Sequence, residues 1–263
     1  MSEQRLDAAL AARGLARSRT HAARLIADGS VSVDGVQAIK AAARVRDGQS
    51  IEVAASDHYV SRAAHKLIAA LDAFGLDVTG RPALDLGAST GGFSQVLLER
   101  GSSSVVALYV GHGQLSPVLA ADPRVTVIEG VNARDLTPET LDAAAHHPVR
   151  PTIVVADLSF ISLGMVLPAL VRTAGLEADY LLLIKPQFEV GRTGIREGIV
   201  RDAGLRSEAV AGVLWSAWDL GLKTAGLISS PLLGGAGNRE YLAWLSARVG
   251  GDPTEWTERI STL

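Results

Sequence analysis

Short apolar runs of strand length recur along most of the chain, from residue 83 to residue 245. Between them lie stretches in which apolar residues recur every three or four positions, as on the buried face of an amphipathic helix. Alternating strands and helices form a largely parallel sheet covered by helices on both faces, so the expected fold class is α/β. Helices are predicted at residues 61–74 and 206–220, and strands at 83–86, 104–110, 125–129, 152–156, 180–184, 223–228 and 240–245.

The N-terminal part of the chain follows a different pattern. A short helical stretch ends at Gly14, and Ser18 can cap a second helix. Residues 31–33 alternate as a strand, residues 34–35 form an Asp-Gly pair typical of a hairpin turn, and a second strand is predicted at 51–53. Two helices and a hairpin make a small α+β module.

These two patterns divide the chain into two domains. We predict a small domain at residues 1–55, a linker at 56–60 and an α/β domain at 61–263. A chain of 263 residues with 48% hydrophobic residues is long and apolar enough for this arrangement.

The composition narrows the class of protein. The chain has no cysteine, which excludes disulfides, thiolate metal sites and cysteine nucleophiles, and we predict no metal site. Its beginning lacks the basic-then-apolar order of a signal peptide, and no apolar run approaches the roughly 20 residues that span a bilayer. We therefore expect a cytoplasmic protein with no membrane partner. The net charge of −3 means that any RNA binding must be local.

A glycine-rich turn follows the first strand of the α/β domain and leads into an amphipathic helix. Glycines allow a ligand to approach the backbone closely, and a helix N-terminus offers free N–H groups. The spacing is neither that of a dinucleotide site nor that of a P-loop. It favours S-adenosylmethionine (SAM) in a Rossmann-type fold, with a tight turn that binds nothing as the alternative. The candidate ligand contacts are Asp85, Gly87, Ala88, Ser89, Thr90, Gly91, Gly92 and Phe93.

Polar side chains also follow other strands of the predicted sheet. Asn132 comes shortly after the third strand, and Asp157 and Lys185 come directly after the fourth and fifth. Ligands in such sheets bind at the carboxyl ends of the strands, so these residues are expected to meet around the glycine-rich turn. Each of them alone could equally be a solvated strand end.

Two further residues complete a set of two lysines and two carboxylates. Lys66 lies on the helix before the first strand, and Glu240 follows a glycine-rich loop. A lysine beside a second cation in a partly dry pocket has its pKa lowered toward the working pH, and carboxylates can orient it. Such a set could remove the proton of a ribose hydroxyl, which is a poor nucleophile until that proton is taken.

Basic residues cluster in the N-terminal module, although its acids leave the module only slightly basic. They could neutralise RNA phosphates or form an ordinary solvated face. The candidates for RNA contact are Arg13, Arg17, Arg19, Arg24, Lys40, Arg44 and Arg46.

These stretches together resemble the TlyA (haemolysin A) family of ribosomal RNA 2′-O-methyltransferases. The resemblance extends over nearly the whole chain and keeps its order. The motifs that carry it include RGLARSR at 13–19, YVSRAAHKL at 59–67, DLGASTGGF at 85–93, ADLSFISL at 156–163, KPQFE at 185–189 and GNREY at 237–241.

The resemblance implies a small N-terminal α+β RNA-binding domain of the ribosomal-protein type. It implies that the rest is a Rossmann-type SAM-dependent methyltransferase domain similar to the FtsJ group, acting on ribosomal RNA or a ribosomal subunit. The glycine-rich turn, the end of the second strand, Asn132 and Asp157 would bind SAM. The catalytic tetrad of the group falls on Lys66, Asp157, Lys185 and Glu240, with Lys185 as general base and Lys66 as its partner.

One position departs from the family pattern. The family has an aspartate at the end of the second strand, where this chain has Tyr109. The aspartate would accept hydrogen bonds from both cofactor ribose hydroxyls, which a single phenol cannot do. Either a neighbour substitutes for it, or the chain is a paralogue with altered or lost SAM use that catalyses another reaction, for example on a small metabolite.

Two other classes of protein are alternatives to a methyltransferase. A non-catalytic RNA-binding protein has no use for paired acids and lysines at strand ends. A pore-forming haemolysin would need a membrane-length segment. The sequence leaves the target nucleotide, the ribosomal subunit and the oligomeric state open.

Overall fold

The computed structural model describes residues 3–16, 18–27, 29–53, 58–191 and 194–263. The N-terminal module contains two helices and five short strands within these ranges. Its elements are β1 (Glu3–Arg5), α1 (Leu6–Ala12), α2 (Arg19–Ala27), β2 (Val31–Val33), β3 (Val36–Gln37), β4 (Arg44–Arg46) and β5 (Ile51–Val53).

This module has a core of its own. Its two helices bury Leu6, Leu10 and Ile26 against Val31 and Val45. Strands β1 and β4 pair antiparallel, and β2 lies between β3 and β5 in a three-stranded sheet. Both helices, the hairpin and β5 were predicted, whereas β1 and β4 were not.

Local chemistry fixes the predicted turns of the module. The Ser18 hydroxyl accepts a hydrogen bond of 3.1 Å from the backbone N–H of His21, as expected for a helix cap. Asp34 and Gly35 have φ values of 50° and 78°, both left-handed, which is the geometry of a tight hairpin turn.

The larger domain begins with α3 and continues as alternating strands and helices. Its elements are α3 (Ala63–Phe74), β6 (Pro82–Leu86), α4 (Gly92–Glu99), β7 (Ser104–Tyr109), α5 (Pro117–Ala120), β8 (Val125–Glu129), α6 (Pro138–Ala145), β9 (Ile153–Ala156), α7 (Leu163–Ala174), β10 (Asp179–Ile184), α8 (Pro186–Glu189), α9 (Ala203–Trp218), β11 (Lys223–Ser229), β12 (Tyr241–Ser246) and α10 (Thr257–Thr262). All seven predicted strands of this domain are confirmed to within one residue.

These strands form one sheet in the order β11-β12-β10-β9-β6-β7-β8. Strands β6 to β10 are parallel, and β12 runs antiparallel to both of its neighbours. After β8 the chain returns to the other side of β6 to form β9. The sheet therefore reverses its strand order between β6 and β9, which is where doubly wound sheets open a ligand crevice.

Apolar side chains fill both faces of the sheet. One buried cluster includes Leu84 and Val154 with Leu167 of α7, and the other includes Leu67 of α3 with Leu97 of α4. Within the described ranges, no helix combines the length and the apolar character that crossing a bilayer requires.

The segment between the domains is described only in part, because residues 54–57 lie outside the described residues. The rest of the predicted linker lies along α4. His58 Nε2 is 2.8 Å from a Glu99 carboxylate oxygen, and the Val60 N–H donates to the Gln95 side chain over 2.9 Å. The domain bounds themselves stay a prediction.

Candidate active site

A cleft of about 320 Å³ opens at the carboxyl ends of β6, β9 and β10. It lies at the point where the strand order reverses, and Ala27 of the N-terminal module contributes to its wall. The cleft brings together the four tetrad candidates and most of the glycine-rich turn. The candidates that line it are Lys66, Asp85, Gly87, Ala88, Ser89, Gly92, Phe93, Asp157, Lys185 and Glu240.

The first lysine pairs with a carboxylate that is distant in sequence. Lys66 Nζ on α3 is 2.6 Å from Glu240 Oε2, which lies immediately before β12, and the two side chains are only 6% and 3% exposed. Gly234 makes room for this pair, because a Cβ at that position would lie 2.4 Å from Glu240 Oε1. The result is a closed, buried ion pair.

The second lysine pairs with the carboxylate of the adjacent strand. Lys185 Nζ, after β10, is 2.6 Å from Asp157 Oδ1, after β9, and these side chains are 10% and 17% exposed. The same nitrogen donates a hydrogen bond of 2.9 Å to Ser159 Oγ. This pair keeps more contact with the cleft than the first.

Asp85 lies at the bottom of the cleft with one carboxylate oxygen unsatisfied. Oδ2 accepts a hydrogen bond of 2.7 Å from Ser94 Oγ, while Oδ1 is buried and has no hydrogen-bond partner. Burial raises the pKa of Asp85 to about 7, and the nearby Asp157 adds to this rise, whereas the Ser94 bond opposes it. A buried acceptor without a donor suits a cationic ligand group.

Packing within the protein requires glycine at two positions of the turn, apart from any requirement of a ligand. At Gly87, with φ of 77°, a Cβ would lie 2.7 Å from the carbonyl oxygen of Asp157. At Gly92, a Cβ would lie 2.7 Å from Ser61 Oγ. The missing side chains thus let the turn pack against two segments that carry tetrad residues.

A second cleft of about 560 Å³ adjoins the first. Asn132 lines it together with Val110, Phe160 and Phe188. Among the described residues, Ser159 is the one that lines both clefts.

Thr90, Gly91 and Tyr109 are predicted cofactor contacts that line neither of these two clefts. Thr90 is exposed at the turn. Gly91 lies under α5, because a Cβ there would be 2.3 Å from a Leu119 methyl group. Tyr109 is only 4% exposed.

The Tyr109 hydroxyl reaches an acid that the sequence analysis did not identify. It donates to Glu129 Oε1 over 2.6 Å, and Gly113 N–H donates to the same oxygen over 2.8 Å. These hydrogen bonds, that of Tyr109 foremost, lower the pKa of Glu129 and keep it ionised. Glu129 ends β8 directly opposite Tyr109 in the parallel pairing, and its place as the acidic last residue of a predicted strand was the available signal.

The basic residues of the N-terminal module divide into two groups. Arg13 donates to the carbonyl oxygens of Gln49, Arg46 and Asp47 at 2.8, 3.2 and 3.2 Å. Arg19 pairs with Asp7 at 3.1 Å, and Arg46 pairs with Glu3 at 3.1 Å. These three cations are used within the module.

Lys40 and Arg44 are exposed, and their side chains make no ion pair or hydrogen bond with the part of the chain that the structure describes. Arg17 and the Arg24 side chain lie outside the described residues. Lys40 and Arg44 are therefore the described candidates that remain available to an anionic partner.

Family models match both parts of the chain. Residues 59–247 match the FtsJ-like methyltransferase model, and residues 4–51 match the S4 domain. Fold and cleft together define the class of protein, an FtsJ-like methyltransferase with an N-terminal S4 domain.

Related proteins place the chain more closely. It is 51% identical over 248 residues to the 16S/23S rRNA (cytidine-2′-O)-methyltransferase TlyA of Mycobacterium tuberculosis, covering 93% of this chain and 90% of that protein. It is 39% identical over 240 residues to Hemolysin A of Brachyspira hyodysenteriae, covering 91% and 98%. The chain therefore belongs to the TlyA (haemolysin A) family, as its motifs predicted.

Solved structures agree with this assignment. A putative hemolysin from Streptococcus thermophilus superposes with a TM-score of 0.75 at 35% identity, covering 100% of this chain and 96% of that one. A putative S-adenosylmethionine dependent methyltransferase from Listeria monocytogenes shares the fold, with a TM-score of 0.51 at 13% identity, covering 71% and 99%. The predicted fold class and methyltransferase activity are confirmed.

Proposed function

We propose that this enzyme transfers the methyl group of SAM to a ribose 2′-hydroxyl of ribosomal RNA, with Lys185 as general base. The observation that carries the proposal is the meeting of both lysine–carboxylate pairs with the glycine-rich turn in one cleft. The name of the Mycobacterium tuberculosis relative supports the substrate class, and the S4 match supports RNA binding. Action on ribosomal RNA places the enzyme in the cytoplasm.

Lys185 is assigned as the base because it lines the cleft and is the more exposed of the two lysines. Neutral Lys185 takes the hydroxyl proton on Nζ while the ribose oxygen forms its bond to the methyl carbon. When bound, SAM would supply the methyl group, with the carbon–sulfur bond broken and its electron pair left on the sulfur of a neutral thioether. Asp157, 2.6 Å from Nζ, stabilises the ammonium until its proton is released to water.

Lys66 contributes a fixed positive charge beside the base. Its partner Glu240 is as buried as Lys66 itself, so this pair is held within the wall of the cleft. We assign Lys66 and Glu240 the role of positioning the reacting groups and Lys185 the role of moving the proton.

Two acids would hold the two ends of SAM, Asp85 within the cleft and Glu129 outside its lining. The unsatisfied Oδ1 of Asp85 would accept a hydrogen bond from the ammonium of the amino acid tail. The ribose hydroxyls need a carboxylate, and Glu129 is the neighbour that would replace the family aspartate. The hydrogen bonds from Tyr109 and Gly113 both end on Oε1, which leaves Oε2 for the ribose.

RNA would bind through the N-terminal module. Lys40 and Arg44, exposed and unpaired within the described chain, would contact phosphates, while Arg13 holds the loop beside them in place. The partner is ribosomal RNA or a ribosomal subunit.

A second candidate function rests on Tyr109, which occupies the position of the family aspartate. The chain would then be a paralogue that uses the same lysines and carboxylates without SAM. Calorimetric titration with SAM separates the two proposals, because the paralogue would not bind it.

Labelled methyl transfer tests the proposed function. Small and large ribosomal subunits that lack the modification are incubated separately with the protein and methyl-labelled SAM, and their RNA is digested to nucleosides. We expect label in a 2′-O-methylated nucleoside from the wild-type protein. Label in a base-methylated nucleoside, or no transfer to either subunit, would overturn the proposal.

A further inference from the structure

We infer that Ser159 is a positioning residue for Lys185, whose hydroxyl aims the lone pair of the base at the incoming ribose hydroxyl. The inference deepens the proposed function and rests on it. Ser159 was not among the residues that the sequence motifs assigned to catalysis.

The bonds and the lone pair of the lysine nitrogen have fixed tetrahedral directions. A neutral amine carries two N–H bonds and one lone pair besides its bond to carbon. In the structure, Lys185 Nζ contacts two acceptors, Asp157 Oδ1 at 2.6 Å and Ser159 Oγ at 2.9 Å. When both N–H bonds point at these acceptors, the lone pair occupies the remaining tetrahedral position.

The burial of the Lys185 side chain determines the direction in which the lone pair points. The Lys185 side chain is only 10% exposed, and it lines the first cleft. Its free valence therefore faces the cleft. With Asp157 as the single acceptor, the amine could rotate about the carbon–nitrogen bond, and the lone pair would face the cleft for only part of the time.

The location of Ser159 agrees with this role. It lines both the cleft of the tetrad and the adjoining cleft of Asn132 and Phe160. Ligand groups bound in the first cleft and ligand groups bound in the second would therefore meet beside it.

The segment that carries Ser159 is held in an unusual conformation. The next residue, Phe160, has φ of 66°, which costs energy in a residue with a side chain. The Asp157 carbonyl lies against Gly87 so closely that no other residue would fit there. Strain and close packing on either side of Ser159 are the conditions under which one hydroxyl can be held in a fixed place.

Ser159 forms no covalent bond in this scheme. The ribose proton moves to Lys185 and then to water, and the methyl group moves from sulfur to oxygen. Ser159 remains a hydrogen-bond acceptor throughout, so its removal leaves the stoichiometry unchanged and slows the step.

Steady-state methylation of ribosomal RNA by Ser159→Ala tests the inference. We expect kcat to fall about ten- to a hundredfold, the loss typical of one hydrogen bond to a charged or proton-transferring group. The KM for RNA and the Kd for SAM should change by less than about twofold, because Ser159 acts on the base. Ser159→Thr, which keeps the hydroxyl, should restore most of kcat.

A matched control removes a buried hydroxyl away from the cleft. Ser102 Oγ donates to the Val78 carbonyl oxygen at 3.4 Å, and Ser102 lines neither cleft. Ser102→Ala should keep kcat within about twofold of wild type. Ser159→Cys provides a nearly isosteric variant with a weaker acceptor, should Ser159→Ala fail to fold, and it should also lower kcat.

Three results would overturn the inference: wild-type kcat in Ser159→Ala, a parallel loss of SAM affinity and thermal stability, or no recovery in Ser159→Thr. Each of them requires an active wild-type enzyme. If the wild-type protein makes no 2′-O-methylated nucleoside, the proposed function fails instead, and the two failures are thereby told apart.

Discussion

The two lysine–carboxylate pairs of the cleft have the same nitrogen–oxygen distance, 2.6 Å, and different surroundings. Lys66 and Glu240 are 6% and 3% exposed, whereas Lys185 and Asp157 are 10% and 17% exposed. Lys185 also has a second partner, Ser159. Equal distances therefore do not mean equal roles. We propose that the closed pair, Lys66 with Glu240, is a fixed ion pair, and that the open pair, Lys185 with Asp157, exchanges a proton with substrate and water.

The chain positions of the pairs differ as well. Lys66 and Glu240 are 174 residues apart, and their contact ties α3 to the start of β12. Lys185 and Asp157 follow neighbouring parallel strands. The closed pair thus joins distant parts of the domain, and the open pair belongs to the strand ends where ligands bind.

The largest expected effect is a loss of turnover when the lysine of the open pair is removed. Lys185→Ala should lower the turnover of RNA methylation by about 10²- to 10⁴-fold, the usual contribution of a general base. SAM affinity should stay nearly unchanged, since this lysine acts on the hydroxyl. Turnover and SAM calorimetry measure the two quantities. A Lys185→Ala variant with wild-type turnover would remove Lys185 from the mechanism.

The closed pair should show its role in stability. Glu240→Gln leaves the Lys66 ammonium buried without a counter-charge, which typically costs about 3–5 kcal/mol of unfolding free energy. The double variant Lys66→Met, Glu240→Leu should regain most of that stability without regaining activity. Denaturant unfolding of the three proteins measures the effect.

Asp157→Asn is the matched control in the open pair. It should cost less stability than Glu240→Gln, because its surroundings are more exposed to water. Equal losses in both variants would contradict the distinction between a closed and an open pair.

Glu129, which accepts a hydrogen bond from the Tyr109 hydroxyl, is a further carboxylate to compare with those of the two lysine pairs. If Glu129 binds the ribose of SAM and Tyr109 orients it, Glu129→Gln and Tyr109→Phe should each weaken SAM binding by about 1–3 kcal/mol. Tyr109→Asp, which restores the family residue, should tighten SAM binding or leave it unchanged. Calorimetry with SAM measures all three variants.

Two outcomes would change the account of this position. A marked loss of SAM affinity in Tyr109→Asp would show that the tyrosine itself belongs to the cofactor site. Absence of SAM binding in every form, wild type included, would favour the paralogue.

Asp85 is a carboxylate of the same cleft without a lysine partner. Its pKa is raised to about 7, so it is mostly protonated below that pH and no longer offers a negative charge to the SAM ammonium. SAM affinity should therefore rise as pH increases, by up to about tenfold per unit below pH 7, and level off above it. Titrations at pH 6, 7 and 8 check this, and Asp85→Asn should abolish the dependence. An affinity of the wild type that is constant across this range would exclude the proposed contact.

The smallest effect concerns paired and unpaired cations of the N-terminal module. Lys40→Glu with Arg44→Glu should weaken RNA binding and flatten the dependence of log K on log salt by about one to two units. Arg13→Gln is the control, because Arg13 is bound to backbone carbonyls, and it should act mainly on thermal stability. RNA affinity that survives the double reversal would place the binding surface elsewhere.

Much of this molecule could be predicted from local sequence. The strands of the sheet are continuous apolar runs such as residues 180–184, which tertiary contacts did not shift by more than one residue. The four tetrad candidates were predicted from sequence motifs. Each of them lies on or next to a helix or strand whose hydrophobic pattern is clear. The missed strands β1 and β4 are three residues long and pair across about 40 positions, so no local pattern marks them.

The sequence does not show which hydrogen-bond partner each polar atom has in the folded chain. Nothing in the spacing shows that Arg13 donates to three carbonyls or that Ser159 contacts Lys185. Tyr109 and Glu129 are 20 residues apart and meet only because β7 and β8 pair in that register. These contacts exist in the folded chain alone, and they decide which charged residues are available for chemistry.

Chemical rescue tests the central claim, that Lys185 and not Lys66 moves the proton. Lys185→Ala and Lys66→Ala are each assayed for RNA methylation with increasing concentrations of a small primary amine such as ethylamine. The account predicts that turnover of Lys185→Ala rises with the concentration of the unprotonated amine, which takes the place of the missing base, while Lys66→Ala does not respond. Rescue of Lys66→Ala alone, or of both variants equally, would contradict the assignment of Lys185 as general base.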